Sequence, residues 1–152
     1  MIVLLDSSPL GGITSPNKNS PTKLAMEAWA KKLYFSGHEL MVPAIADFEL
    51  RREHIRRNAT ASISELDAFV HASENRYLPI TDTALKLAAE LWAKSHNMGL
   101  PSAEMKELDC DILIAAQALD LGLSIDDFVI ATSNIRHLSR FVPCKLWHDI
   151  NL

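Results

Sequence analysis

Carboxylates occur at three separated places in this sequence, each in a position from which an acid can take part in chemistry. Asp6 directly follows an apolar run, and Glu49 lies on the edge of the apolar face of a predicted helix. Asp109 and Asp111 stand two residues apart at the predicted start of a later helix. Carboxylates that converge repel one another unless a cation neutralises them, and sites made only of oxygen ligands suit Mg²⁺ or Mn²⁺. Such ions support hydrolysis at a phosphate group.

Each acid also has a purely structural interpretation. Asp6 can serve as a turn or loop cap, a common use of aspartate. Glu49 can form an exposed salt bridge with Arg52, three residues later, worth only about 0.2–0.5 kcal/mol. Asp109 fits the position of a helix cap, and capping requires one acid rather than two. We therefore assign Asp109 to the cap and keep Asp111, inside the first turn, as the candidate ligand.

Short apolar runs predict the strands that position these acids. Met1–Leu5 and Phe128–Ala131 are continuous apolar segments, as expected for strands buried in a parallel sheet. Shorter extended segments are predicted at Glu39–Val42, at Tyr77–Ile80 and near Lys145–Trp147. Because helical patterns separate the strands, the sequence predicts a three-layer α/β/α fold with a mainly parallel sheet. We expect one domain over residues 1–152.

Capping residues and glycines mark the predicted helices and loops. Ser20 followed by Pro21 is typical of a helix start, and Thr81 is placed to cap a long helix. Gly11–Asn19 and Leu100–Leu108 are predicted as loops, because the first is rich in turn residues and the second follows a fading helical pattern. The clearest helix is predicted to begin at Asp109.

Polar residues also follow the predicted strand at Phe128–Ala131. They are Thr132, Ser133 and Asn134. In open parallel α/β sheets, ligands bind outside the carboxyl ends of the strands. Asp6 follows the first strand in the same way, and Asp109 and Asp111 open a helix after a loop, so we expect these three polar groups to meet at one edge of the sheet.

Composition restricts the class of protein. The 152 residues carry a net charge of −4, so any contact with nucleic acid needs a local basic patch or bound cations. The two cysteines, Cys110 and Cys144, form no CxxC motif and are expected to stay reduced. No apolar run approaches the ~18 residues of a membrane span, and the N-terminal run is too short for a signal peptide. We therefore expect a cytoplasmic protein with no membrane contact.

Other site chemistries find little support in the sequence. The six histidines form no HxxxH pair and are interpreted as surface or core residues. Gly11-Gly12 follows a strand, but neither GxGxxG nor GxxxxGK[ST] is present, which argues against a nucleotide cradle. A phosphatase with Asp6 as nucleophile is expected to have a second aspartate two residues later, but this chain has Ser8 at that position.

Four segments together resemble the PIN domains, in particular those of VapC-type toxins. Ile2–Ser8 resembles the opening strand and first acid, and Glu49 with the following Leu-Arg-Arg-Glu resembles the second acidic position. Asp109–Ala118 closely resembles the third motif, an aspartate just before an Ile-Ala-Ala helix. Phe128–Asn134, followed by Ile-Arg-His-Leu, resembles the final strand and motif.

The resemblance implies a metal-dependent ribonuclease. Carried over residue by residue, it makes Asp6, Glu49 and Asp111 the ligands of Mg²⁺ or Mn²⁺. The family often has an aspartate at the fourth position, where this chain has Asn134; an amide can coordinate or orient water but adds no negative charge. Asp109, Thr132 and Ser133 are then supporting residues. The resemblance also implies an RNA substrate, a homodimer and a small antitoxin partner.

Two questions stay open at this point. Basic residues suited to phosphate contacts are Arg51, Arg52, Arg56 and Arg57 along one helix, with Lys18 and Lys23 elsewhere; a solvated helix face explains the arginines equally well. The substitution at position 134 also admits an alternative function, a PIN-like binding module whose catalysis is weakened.

Overall fold

The computed structural model describes residues 1–99 and 108–151, which include a five-stranded sheet whose strands all run parallel. The strands are β1 (Ile2–Leu5), β2 (Glu39–Pro43), β3 (Tyr77–Leu78), β4 (Phe128–Thr132) and β5 (Cys144–Leu146). Their order in the sheet is β3-β2-β1-β4-β5. The central strands β1 and β4 are buried almost throughout, which explains why both are continuous apolar runs. The predicted α/β fold with a central parallel sheet is confirmed.

Helices connect and flank the strands. The helices are α1 (Ser7–Ile13), α2 (Pro21–Phe35), α3 (Ala44–Arg56), α4 (Thr60–His71), α5 (Asp82–Asn97), α6 (Leu108–Asp120) and α7 (Ile135–Leu138), with a 3₁₀ turn at Trp147–Asp149. Two predicted caps are confirmed: the side chain of Ser20 accepts a hydrogen bond from Lys23 N, and that of Thr81 accepts one from Ala84 N. None of these helices is long and apolar enough to cross a membrane.

The direction of chain crossing reverses at β1. The chain passes from β1 to β2 on one side and later returns to place β4 on the other side. At such a switch point the loops that leave the two strands turn apart and open a crevice. Asp6 leaves β1 there, and Thr132 ends β4 there. The topology thus brings together Asp6 and Thr132, which are 126 positions apart in the sequence.

Two local predictions were wrong. Gly11 and Gly12 lie in helix α1 rather than in a loop: Asp6 caps this helix, and Pro9 falls in its first turn, where a missing N–H costs nothing. A Cβ on Gly12 would collide with the Met26 side chain of α2, so the glycine permits close packing of the two helices. Asp109 lies inside the first turn of α6 rather than at its cap, because the described helix already includes Leu108.

The loop predicted at residues 100–108 lies outside the described residues, apart from Leu108. Leu108 is fully buried and belongs to α6.

Candidate active site

An open cavity of about 510 Å³, here named the acid cavity, lies at the carboxyl edge of the sheet. It is lined by Asp6, Ser7, Ser8, Glu49, Arg52, Asp109, Cys110, Asp111, Ser133, Asn134 and His137. These residues come from the ends of β1 and β4, from the middle of α3 and from the starts of α1, α6 and α7. The structure therefore brings all the sequence-predicted acids to one cavity. Thr132 lies directly behind it.

Asp6 is held by two hydrogen bonds that fix both carboxylate oxygens. Oδ1 accepts from the backbone N–H of Ser7 at 2.6 Å, which makes Asp6 the cap of α1. Oδ2 accepts from the Thr132 hydroxyl at 2.7 Å. Burial raises the pKa of Asp6 above its usual value, and the charge of Glu49 adds to the rise; the two hydrogen bonds oppose it. The structural role expected for Asp6 as a cap and its place at the cavity are thus combined in one side chain.

Glu49 lies on α3, lines the same cavity and has no basic partner among residues 1–99 and 108–151. Its Oε1 accepts a hydrogen bond from the Ser7 hydroxyl at 3.1 Å. The salt bridge with Arg52 that the sequence allowed does not form among the described residues, since Arg52 packs over the ring of Phe48 instead. The hydrogen-bond partners that the described residues give the Glu49 carboxylate, the Ser7 hydroxyl and the Cys110 thiol, are therefore uncharged.

Asp111 completes the group of acids and is paired with a histidine. His137 Nδ1 lies 3.1 Å from Asp111 Oδ2, and the two side chains are only 8% and 21% exposed. Burial and then the charge of Asp6 raise the pKa of Asp111 to about 6, against the opposing hydrogen bond from His137. Asp109, its neighbour in the first turn, is exposed and lies on the cavity wall.

The residues after β4 shape the remaining wall. Asn134 caps α7, because its Oδ1 accepts a hydrogen bond from the backbone N–H of Arg136 at 3.2 Å. Its own backbone N–H donates to the Thr132 hydroxyl at 3.0 Å. The Ser133 hydroxyl lies 2.8 Å from that of Ser8. The amide of Asn134 thus lines the cavity while one of its oxygen's lone pairs serves the helix cap.

Sequence reasoning missed four residues that line the cavity: Ser7, Ser8, Cys110 and His137. The sequence predicts a surface or core role for His137, whereas its place three residues after Asn134 puts it on the first turn of a helix that begins at the cavity. Cys110 lies beside Glu49, and burial raises the pKa of its thiol to about 11. A thiol with so high a pKa stays protonated at neutral pH, so Cys110 is unsuited to act as a nucleophile.

The donor set fits a hard divalent cation. Asp6, Glu49 and Asp111 offer only oxygen ligands. The charge of Glu49 raises the pKa of Asp6, and the charges of Asp6 and Glu49 raise the pKa of Asp111. A cation among them would relieve this repulsion. Within residues 1–99 and 108–151 no three acidic, histidine or cysteine side chains stand close enough together to enclose a metal ion. The three acids instead lie at separate places on the wall of the same cavity.

A family model describes nearly the whole of this chain. The model for the PIN domain matches residues 3–141, which include every residue of the acid cavity. The chain belongs to the PIN domain family. No curated protein sequence matches it.

Solved structures share the fold of this PIN domain at low sequence identity. A chain from the crystal structure of VapBC2 from Rickettsia felis, bound to a DNA fragment from their promoter, superposes with a TM-score of 0.71 at 19% identity, covering 97% of this chain and 99% of that chain. A chain of VapBC-1 from nontypeable Haemophilus influenzae gives a TM-score of 0.67 at 18% identity, covering 98% and 100%. A chain of FitAcB from Neisseria gonorrhoeae gives 0.63 at 21% identity, covering 97% and 99%. These likenesses establish the fold.

The basic residues of the PIN domain differ in what they contact. Arg51 is held by Asp47 and Asp67, and Arg56 and Arg57 both face Glu53. Lys23 is buried, with Nζ bonded to the carbonyl of Ile13 and paired with Glu27.

Arg52 stands apart from these residues. It lines the acid cavity and makes no hydrogen bond or ion pair with any residue in the described parts of the chain. Of the candidates on α3 for phosphate contacts, Arg52 is therefore the best placed.

Proposed function

We propose that this PIN domain is a metal-dependent endoribonuclease that hydrolyses RNA phosphodiester bonds at the acid cavity. Asp6, Glu49 and Asp111 are assigned as the ligands of Mg²⁺ or Mn²⁺. One observation carries the proposal. Three acids from distant parts of the sequence face one cavity, and the pKa values of two of them are raised by burial and by the other acids. Unneutralised acids in such an arrangement are costly to the fold, which favours a role in binding a cation.

The neighbouring side chains orient the ligands. Ser7 and Thr132 fix Glu49 and Asp6 through their hydroxyl groups, and His137 fixes Asp111. Such outer contacts restrict the rotamers of a ligand set before the cation arrives. A bound divalent cation supplies positive charge to stabilise the phosphoryl group and lowers the pKa of water.

The rim residues are assigned to the substrate. The amide of Asn134 and the hydroxyl of Ser133 are placed to hydrogen-bond a water molecule or a phosphate oxygen at the cavity wall. Asp109 is exposed on the same wall, and we assign it a supporting contribution to the negative potential of the cavity.

A toxin of a toxin–antitoxin pair is the biological role we propose for this nuclease. The motifs resemble VapC-type toxins, and the structural neighbours come from the VapBC2, VapBC-1 and FitAcB assemblies. On this basis we expect a homodimer and a small antitoxin partner. Co-expression with the protein encoded next to this chain, followed by copurification, tests the partner.

Cleavage of a broad RNA panel by the purified protein tests the nuclease. The panel is incubated with Mg²⁺, with Mn²⁺ and with EDTA, and the wild type is compared with Asp111→Asn. Asp126→Asn is the matched control, because it removes the same charge at an exposed position away from the cavity. We expect cleavage that needs the metal, is lost in Asp111→Asn and is unchanged in Asp126→Asn.

A folded wild type that neither cleaves the panel nor binds either metal would refute the nuclease. That result would favour a PIN domain used as a binding module, for which the asparagine at position 134 is the motivating feature. Circular dichroism of the wild type and of each variant is needed, because a misfolded protein would also show neither cleavage nor metal binding.

A further inference from the structure

An exposed aromatic ring and a cation lie together on α3 at the rim of the acid cavity. Phe48 is 53% exposed, although it is a large apolar side chain next to Glu49. Arg52, one helical turn later, places its guanidinium carbon 5.4 Å from the centroid of the Phe48 ring. Arg52 is also part of the cavity wall. Arg52 therefore packs on the Phe48 ring and also lines the cavity that contains the acids.

The charge of Arg52 is available to a ligand. Arg51, Arg56 and Arg57 on the same helix are engaged by carboxylates, whereas Arg52 has no such partner in residues 1–99 or 108–151. A phosphate that approaches four acids is repelled unless a cation lies on its path. Arg52 lies at that position, and a guanidinium group is well shaped to contact a phosphate.

We propose that Phe48 and Arg52 form a nucleotide platform, on which an unpaired base stacks against Phe48 and the adjacent phosphate contacts Arg52. The inference rests on the proposed ribonuclease function and narrows its substrate to single-stranded or looped RNA. Aromatic side chains stack with any base that is free of its neighbours, and a nearby arginine adds to the attraction. Bases inside an A-form duplex are not accessible to such a ring.

Contact with a second copy of the chain is the competing explanation for the exposed ring. Ile55 lies two turns after Phe48 on the same helix and is 59% exposed, so the face has apolar residues at both ends. Arg52 stands between them. Covering this face with another copy would remove water from a guanidinium that makes no ion pair within residues 1–99 or 108–151, which is costly. A phosphate would instead pair with the guanidinium.

Fluorescence anisotropy with a short unstructured RNA, and with the same RNA as a duplex, tests the platform. The measurements use the full chain carrying Asp111→Asn to prevent cleavage. Phe48→Leu is expected to weaken binding of the single strand by about 5- to 100-fold, the loss of one base–aromatic stack. Phe48→Tyr keeps the ring and should bind within about 2-fold of the parent.

The control variant is Phe35→Leu, which removes an aromatic ring that is 83% exposed in α2, away from the cavity. We expect it to leave binding unchanged, and we expect Phe48→Leu to leave duplex binding unchanged. Equal single-strand affinity of Phe48→Leu and the parent would overturn the platform. A Phe48→Leu protein that changes its oligomeric state in light scattering would also overturn it, in favour of a contact between copies.

Cleavage and binding separate this inference from the proposed function. A wild type that binds single-stranded RNA through Phe48 but cleaves nothing keeps the platform and removes the nuclease. An active wild type whose KM does not respond to Phe48→Leu keeps the nuclease and removes the platform. If both hold, Phe48→Leu raises KM while kcat stays unchanged, because stacking is the same in the ground state and the transition state.

Discussion

Helix α3 carries two acids, Asp47 and Glu49, that lie two residues apart and have opposite surroundings. Asp47 accepts two hydrogen bonds of 2.9 Å from Arg51, which also reaches Asp67 at 2.6 Å. Glu49 has the Ser7 hydroxyl and the Cys110 thiol as neighbours and makes no ion pair in the described part of the chain. Two residues along a helix point to nearly opposite sides, so one helix presents a neutralised acid on one face and an unneutralised acid on the other.

The difference separates an acid that stabilises the fold, Asp47, from one that binds a metal ion under the proposed function, Glu49. The Asp47–Arg51 pair is partly buried, at 11% and 30% exposure, and its bidentate geometry satisfies both oxygens. At the acid cavity the chain supplies hydrogen bonds but leaves the negative charges close together. The chain therefore neutralises Asp47 with its own Arg51, whereas under the proposed function a bound cation neutralises the acids of the cavity.

Removing the charge of Glu49 should mainly lower activity, whereas removing the charge of Asp47 should mainly lower stability. Glu49→Gln is expected to lower RNA cleavage by at least about 100-fold, since even outer contacts of a metal ligand cost up to that much. Asp47→Asn should leave kcat of the folded protein unchanged but destabilise it by about 1–3 kcal/mol, because Arg51 loses one of its two charged partners. Cleavage assays and urea unfolding measure the two effects. Equal loss of activity in both variants would abolish the distinction.

Of Asp47 and Glu49, only Glu49 should be needed for bound metal to stabilise the protein. Saturating Mg²⁺ is expected to raise the Tm of the wild type and of Asp47→Asn, because a ligand that binds only the native state at 100 times its Kd adds about 2.7 kcal/mol. In Glu49→Gln the rise should be much smaller. Differential scanning calorimetry with Mg²⁺ and with EDTA makes the comparison. A similar rise in all three proteins would place the metal elsewhere.

In metal-free buffer the acid cavity should make the protein less stable as the pH rises. The pKa of Asp111 is about 6 in the folded protein against 3.8 as its ordinary value, so between these values the native state binds more protons than the unfolded state. Under that condition the free energy of unfolding falls with increasing pH, by on the order of 1–3 kcal/mol over the window.

The charge-removing variant provides the control for the pH experiment. Asp111→Asn cannot titrate at that position, so its unfolding free energy should vary less between about pH 4 and about pH 6, and the variant should be the more stable protein at the upper end. Urea unfolding in EDTA across this range gives both curves. If the unfolding free energies of the wild type and of Asp111→Asn change equally with pH through the window, Asp111 does not have the raised pKa on which this prediction depends.

The sequence predicted which acids meet, because strand ends and helix starts follow from short-range patterns. The apolar runs predict β1 and β4, and their order predicts that Asp6, which follows β1, and the acids that open α6 lie at the carboxyl edge. The different partners of Arg51 and Arg52 could not be predicted, since adjacent arginines look alike until tertiary packing brings Asp67 to one of them. His137 was missed for the same reason. Its role depends on a contact with Asp111, 26 residues earlier.

The smallest expected effect concerns the hydroxyl that supports Asp6. Thr132→Val keeps the shape of a fully buried side chain but removes the 2.7 Å hydrogen bond to Asp6 Oδ2, which holds the pKa of Asp6 down. The pKa of Asp6 should then rise further, so that a cation competes with a proton more often. We expect up to about a 10-fold higher Mg²⁺ requirement for cleavage, with a greater increase at acidic than at alkaline pH.

Thr132→Ser tests whether this effect comes from the hydroxyl. It restores the donor and removes only a methyl group, so its Mg²⁺ requirement should return toward that of the wild type even if its stability does not. If Thr132→Val and Thr132→Ser need the same Mg²⁺ concentration at every pH, the hydroxyl supports the fold rather than the ligand. In that case Thr132 would belong with Asp47 and Arg51, among the contacts that the chain completes for its own stability.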